Sequence, residues 1–537
     1  MSDSGKKQTF LHGAALLAMA TAMVKIIGAF YKIPLKMIIG DQGYGYFVTA
    51  YDVYSVLLMV STVGLPVAMS RMISQANALG NYNQVRKIYK TARAIFLALG
   101  IVSSLLMMIF CRQLAQFQRQ PDAWVAMACL GPCALFVGMI STFRGFFQGQ
   151  GNMKPTSVSQ VLEAFFKLLI GLGLGFTVMT LTANVSYAAG AAILGVTLSC
   201  LVSVIFLRSK FKPAYRELPL TEDKEESFGA TAKALLAIAV PITIGSTGMQ
   251  LLTVLEQRLY MGQLMNTLGY TQDVADTMKG IYSMTMTIFN MPCAFMVPIT
   301  ISVLPAITNF LTLKDDEAVR STEESAARVA SLISLPCSVG LLLLAGPATA
   351  LLGGYSGESL QLSTKLMSVL AVCIFLYAMV QYTTAVLQAH GKPHLPVINM
   401  LTCGVLRLAV VYFLSGKPEI GIVGVPVGTA LCYGSIAVLN LVWIRFVVPQ
   451  KPRMVRNLLR SVPAAAVMGI VVFGCNLLLR KFLGAEGGRL IQVVMCGVPI
   501  VVGAVVYFAC AVLFKSITAA DCKLLPKGDK LAKLLKL

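Results

Sequence analysis

Apolar runs separated by short polar stretches recur from one end of the chain to the other. Each is long enough to cross ~30 Å of hydrocarbon at ~1.5 Å per helical residue. The segment LLIGLGLGFTVMTLTANVSYAAGAAILGVTLSCLVSVIFL (168–207) carries the end of one such helix and the whole of the next, broken at 181–184. Read in this way, the pattern predicts fourteen helices, at 10–39, 46–78, 88–111, 123–147, 156–180, 185–207, 231–262, 279–311, 326–352, 359–388, 395–414, 420–446, 457–479 and 489–514. The expected fold is an all-α polytopic membrane protein. Six helices in 1–208 form one lobe and six in 231–446 form another across a central cavity, with a linker at 209–230, two further helices in 447–514 and a tail at 515–537. The apolar sequence continues to Ile39, so the start of the chain reads as an uncleaved first helix rather than a cleaved signal.

A weak internal repeat supports the two lobes. QGQGNMKPTSVSQVLEAFFK (148–167) matches QAHGKPHLPVINMLTCGVLR (388–407), aligning Gln148 with Gln388, Gly151 with Gly391 and Lys167 with Arg407. STVGLPVAMSRMIS (61–74) and AFMVPITISVLPAI (294–307) are proline-interrupted helices, each followed by a Val-Arg pair, Val85–Arg86 and Val319–Arg320. Six helices separate the copies, so both keep one orientation, as in transporters built from parallel repeats.

Composition agrees: the 537 residues are 57% hydrophobic and only 12% charged, too apolar for a soluble chain of this length. Net charge is +21, and its placement matters more than its size. Lys and Arg concentrate on one side of the predicted helices, as at Arg86, Lys87, Lys90 and Arg93 or Arg453, Arg456 and Arg460. By the positive-inside asymmetry both termini are cytoplasmic. The basic tail CKLLPKGDKLAKLLKL is expected to lie on anionic lipid. No nucleic-acid module is recognisable. The thirteen cysteines lack any CxxC pair and read as buried free thiols, and His390 and His394 flank Pro393 without forming a metal site. No P-loop, GxSxG or HExxH occurs, so neither an enzyme nor an ATP-driven pump is expected, and no cofactor.

Charges inside the predicted spans carry the chemistry. Lys25, Lys32, Lys36, Lys167, Arg258 and Arg407 stand there with Asp52, Glu163 and Glu256. Each costs roughly 2.5–3.5 kcal/mol at a helix centre, so they must pair or line a watery cavity. Lys25, Lys32 and Lys36 fall within about 20° of one line along their helix, a basic stripe. Lys25 lies deepest, and Lys36 can snorkel. Glu163 and Lys167, at i and i+4, read as an ion pair within their helix, whereas Glu256 and Arg258 point to opposite sides. The surplus of cations favours an anionic cargo, with Lys25, Lys32, Lys36, Lys167, Arg258, Arg407, Asp52 and Glu163 as candidate binding residues.

KIIGAFYKIPLKMIIGDQGYGYF (25–47), STVGLPVAMSRMISQA (61–76) and FRGFFQGQGNMKPTS (143–157) resemble the MurJ-type lipid II flippases, in particular the branch containing stage V sporulation protein B and its polysaccharide-biosynthesis relatives. These belong to the multidrug/oligosaccharidyl-lipid/polysaccharide (MOP) superfamily. The resemblance covers essentially the whole chain. It implies fourteen helices, alternating access, and a cargo of undecaprenyl-diphosphate-linked sugar-peptide whose diphosphate is held by basic residues of the first helix, here Lys25 and Tyr31 or Lys32. Membrane lipids and cell-wall synthesis enzymes would be partners. The membrane potential or an ion gradient would drive transport. A cation-coupled drug exporter of the same superfamily is the competing expectation, with Asp52, Glu163 or Glu256 binding the ion.

Overall fold

The computed structural model describes residues 3–59, 64–450, 452–483, 489–514 and 516. The tail at 517–537 and the side chain of Lys25 lie outside what is described. By contacts the chain divides into two units, Met1–Ser283 and Met284–Leu537.

The first unit contains α1 (Asp3–Met59), α2 (Leu65–Ala78), α3 (Tyr82–Ile109), the short α4 (Cys111–Phe117), a 3-10 turn (Pro121–Ala123), α5 (Trp124–Gly149), α6 (Lys154–Thr182), α7 (Val185–Arg216), α8 (Phe228–Gly262) and the start of α9 (Gln272–Cys293). α5 is its centre, packed by α3, α7 and α2, and α6 lies between α1 and α7. Small residues permit this. A Cβ on Gly195 of α7 would stand 2.4 Å from the Cα of Gly171 in α6, so the two backbones meet directly.

α1 is two helices meeting at a kink, and they correspond to the two expected spans 10–39 and the first part of 46–78. Its break is Gly40, at φ 70, a value glycine adopts without steric cost. α2 carries Pro66 in its first turn, where a missing N–H does no harm.

The second unit contains α10 (Val297–Thr312), α11 (Asp316–Leu343), α12 (Ala345–Gly353), α13 (Gly357–Ala389), α14 (His394–Ser415), α15 (Gly424–Val447), α16 (Met454–Leu459), α17 (Val462–Leu483) and α18 (Arg489–Leu513). α13 packs against α11 and α15, and α17 pairs with α18 and leans on α11. No strand occurs among the described residues.

Among the described residues, ten helices are long and apolar enough to cross a membrane. The four remaining predicted spans, 10–39, 46–78, 231–262 and 279–311, fall on α1 with α2, on α8, and on α9 with α10. The repeat is visible in the backbone of each unit. Gly80 before α3 (φ 74) has Lys314 before α11 (φ 56) as its counterpart, and Gly151 before α6 (φ 75) has Gly391 before α14 (φ 73).

The connector between α7 and α8 is anchored. The backbone N–H groups of Asn83 and Gln84 donate to the Asp223 carboxylate at 3.2 and 2.9 Å. Arg86 donates to the carbonyls of Leu218 and Pro219. This caps the first turn of α3, whose N–H groups have no partners within the helix.

Candidate functional site

The first unit holds a cluster of charges along α1, α5, α6 and α9. Lys167 of α6 reaches across to α1: its ammonium donates to the Tyr51 hydroxyl at 2.8 Å and lies 4.6 and 5.3 Å from the ring centroids of Tyr51 and Tyr31. Aromatic faces and one neutral hydroxyl hold a cation without neutralising it. Tyr31, Phe47, Tyr51 and Tyr54 form a continuous aromatic wall behind it.

Glu163, one turn earlier, does not serve as Lys167's ion-pair partner. It pairs with Arg144 of α5 at 2.9 Å, and Arg144 also donates to Ser159 at 3.0 Å. The i,i+4 pair expected within α6 gives way because Arg144 offers a charge-assisted bond between helices, with its guanidinium held at a second point. Gly28, Tyr31, Arg144, Gln160, Glu163 and Lys167 line one cavity of about 300 Å³. The Gln160 side-chain oxygen accepts no hydrogen bond.

Further along α1, Asp52 faces Lys279 of α9 at 3.7 Å, with side-chain exposures of 24% and 4%. That distance is an ion pair rather than a hydrogen bond. Lys32 lies within the electrostatic reach of both Asp52 and Lys167, and Lys279 within that of buried Glu256. Lys32, Arg144, Lys167 and Lys279 therefore face Asp52, Glu163 and Glu256, four cations against three acids.

Lys36 and Arg258 make contacts of their own within the first unit. Lys36 pairs with Asp41 at 3.3 Å, just beyond the Gly40 break. Arg258 stacks on Phe117, 4.1 Å to the centroid, and donates to its carbonyl at 2.7 Å, tying α8 to α4. Arg407 lies half-buried on α14 in the second unit, its stem against Gly428 of α15. Asn399, Asn440 and Thr383 bond to one another at 2.8 and 3.0 Å, an interhelical polar clasp. The described cysteines are free thiols.

Two members of the cluster, Arg144 and Lys279, escaped the sequence reading. Each stands at an end of a predicted span, where a cation reads as snorkelling. Their signal was the absence of any other partner for Glu163 and Asp52 outside their own helices.

Helices long and apolar enough to cross a membrane, with charged side chains buried among them, define a multi-pass membrane protein. The pattern described as "Polysaccharide biosynthesis protein" matches residues 10–311 and that of MatE matches 275–413. The chain belongs to the polysaccharide biosynthesis protein family. Among proteins of Bacillus subtilis (strain 168), it is 27% identical to the uncharacterized membrane protein YabM, over 100% of this chain and 99% of that one. It is 22% identical to the lipid II flippase MurJ, over 93% and 94%, and 24% identical to stage V sporulation protein B, over 82% and 85%. The solved inward closed structure of lipid II flippase MurJ superposes with a TM-score of 0.66 at 14% identity, covering 93% of this chain and 99% of that one. That likeness concerns the fold.

Proposed function

We propose that the protein is a flippase that carries an undecaprenyl-diphosphate-linked cell-wall precursor, lipid II foremost, from the cytoplasmic to the outer leaflet by alternating access. The observation that carries this reading is the cation surplus around Lys32 and Lys167. A diphosphate bears about two negative charges that hydrocarbon cannot solvate, and fixed cations are what replaces its water. Lys167, held by aromatic faces and a hydroxyl, keeps its charge available. Lys32 lies within its electrostatic reach, and the sequence expects Lys25 on the same α1 stripe. The cavity beside Arg144 and Gln160 has room for a small polar group of about ten atoms.

The membrane potential gives both strokes the right sign. With a negative interior, moving a dianion outward is favoured by ~2.3 kcal/mol per charge per 100 mV, and the emptied cationic site is drawn back inward. The break at Gly40 is a natural pivot. The prenyl tail stays in lipid, and α17 and α18 offer it a flanking surface. Chemistry on the cargo is no part of this reading.

The competing drug-exporter reading assigns the ion to Asp52, Glu163 or Glu256; of these, Asp52 and Glu163 each already face a cation. The test is the surface accessibility of labelled lipid II in cells depleted of other flippases. Wild type restores exposure of the label, and Lys25→Ala or Lys167→Ala reduces it. Undiminished exposure in both variants, together with loss of drug resistance in Asp52→Asn, would establish the exporter instead.

A further inference from the structure

A second polar cluster lies one turn before Lys279, where α1, α8, α9 and the connection before α5 converge. Its centre is Asp276, fully buried. Its Oδ1 accepts from the Gln120 and Gln272 side-chain amides at 3.0 and 2.9 Å, and its Oδ2 shares a hydrogen bond with the Tyr46 hydroxyl at 3.0 Å. The orientation of Gln120 is fixed from behind. Its carbonyl oxygen already accepts from the Thr49 hydroxyl and from Gln257, and Gln257 also donates to Thr49. Gln120 must therefore present N–H to Asp276.

The two carboxyl oxygens thus differ in kind. Oδ1 receives two amide N–H groups and has no room for a proton, whereas Oδ2 faces a hydroxyl that can donate or accept. Among the described residues no Lys, Arg or His makes an ion pair with Asp276. The titratable groups around it are Asp273 on its own helix, Asp122 in the 3-10 turn, Tyr46 on α1 and Tyr260 on α8. Lys279, one turn on, is engaged with Asp52, and Arg119 donates to Asn266. A buried carboxylate with acids as its nearest charges is costly to leave ionised.

We propose that Asp276 is a proton-binding site: it carries a proton on Oδ2 while α1 and α9 are closed over it, and gives that proton up when they part. The backbone makes the closure sharp. A Cβ on Gly280 would stand 1.9 Å from the Asp41 carbonyl oxygen, and one on Gly45 would stand 3.3 Å from that of Asp276. α1 and α9 therefore touch main chain to main chain, and this contact and the proton site form or separate together.

Asp276 precedes the apolar span that begins at 279. Burial pushes its carboxyl up to about 6, against the opposing hydrogen bonds from Gln120, Tyr46 and Gln272, and Asp122 adds to the rise. Because the closed state binds the proton more tightly than a solvated carboxyl near ~3.9 does, closure is favoured by acid and weakens as pH rises through this value. The inference does not depend on the cargo.

Hydrogen–deuterium exchange of the full chain in nanodiscs, without substrate, reads it out over peptides covering 41–54 and 272–283, corrected for intrinsic rates. Wild-type protection should be about 10-fold lower at about pH 8 than at about pH 5. Asp276→Asn, whose amide donates to Tyr46 and accepts from both glutamines, should be protected at both pH values. Tyr46→Phe removes a donor that favours the ionised form and should move the midpoint upward. Protection that is flat or rises with pH in wild type, pH dependence retained in Asp276→Asn, or an unmoved midpoint in Tyr46→Phe would overturn the assignment. Wild type and Tyr46→Phe decide the matter even if Asp276→Asn does not fold.

Discussion

Lys279→Ala separates the structural role of the charge cluster from its transport role. Its ammonium, 4% exposed, stands 3.7 Å from Asp52. At that distance two unit charges attract by about 4 kcal/mol in an effective dielectric of ~20. Removing one partner of a buried pair costs ~3–5 kcal/mol because the other is left uncompensated. Asp52 is 24% exposed, and that partial access to water lowers the expected loss to about 2–4 kcal/mol. The double variant Asp52→Asn/Lys279→Met removes both charges and keeps the volume, so its stability should return to within ~1 kcal/mol of wild type. Transport should not return with it: the surplus of cations over acids is unchanged, but Lys279, one of the four cations of the cluster, is gone. Denaturant unfolding in micelles measures the first quantity and lipid II accessibility in depleted cells the second. A double variant that transports at the wild-type rate would refute the idea that these cations serve the cargo, and one as unstable as Lys279→Ala would refute the pairing.

Arg144→Ala should destabilise the first unit by about 1–3 kcal/mol, since Glu163 loses its interhelical partner, and Arg144→Ala/Glu163→Gln should recover most of that in the same unfolding assay. Gly280→Ala has no room against the Asp41 carbonyl; it should part α1 from α9 at a cost of about 1–3 kcal/mol, seen as faster exchange in residues 41–54. The Asp223 carboxyl is held below its usual range: burial opposes this, but hydrogen bonds from Thr221 and from the backbone N–H groups of Gln84 and Asn83 prevail. Its anchoring is therefore present above ~4 and is lost as pH falls through the folded value, the reverse of Asp276. Limited proteolysis of the connector should accelerate on acidification and in Asp223→Asn, with neutral-pH wild type resistant.

The helical architecture was legible because hydropathy in a bilayer is a strong signal: burial of backbone polar groups forces each apolar run into a helix. The repeat was legible at Gly151 and Gly391, where a left-handed backbone leaves its mark on sequence. The division of α1 near residue 40 was legible too; that it is made by one left-handed glycine rather than by a loop was not. Lys167 and Asp52 were found as charges out of place. Their partners were not, since Tyr51 and Lys279 lie 116 and 227 positions away and pairing across helices has no local pattern. Asp276 was passed over for the same reason: it precedes a predicted span and looks like any loop acid until α1, α8 and the turn before α5 close around it.

The central claim, that uncompensated cations in the first unit bind a diphosphate, is tested most directly by equilibrium binding of lipid II to the purified protein in nanodiscs. Undecaprenol, which lacks the phosphates, is the control. A charge-assisted contact is worth about 1.5–3 kcal/mol, so Lys167→Ala should weaken lipid II binding by at least ~10-fold, Lys167→Arg should retain most of it, and neither should change binding of the uncharged lipid. Equal affinity of wild type and Lys167→Ala for lipid II, or wild-type affinity for undecaprenol as high as for lipid II, would contradict the account.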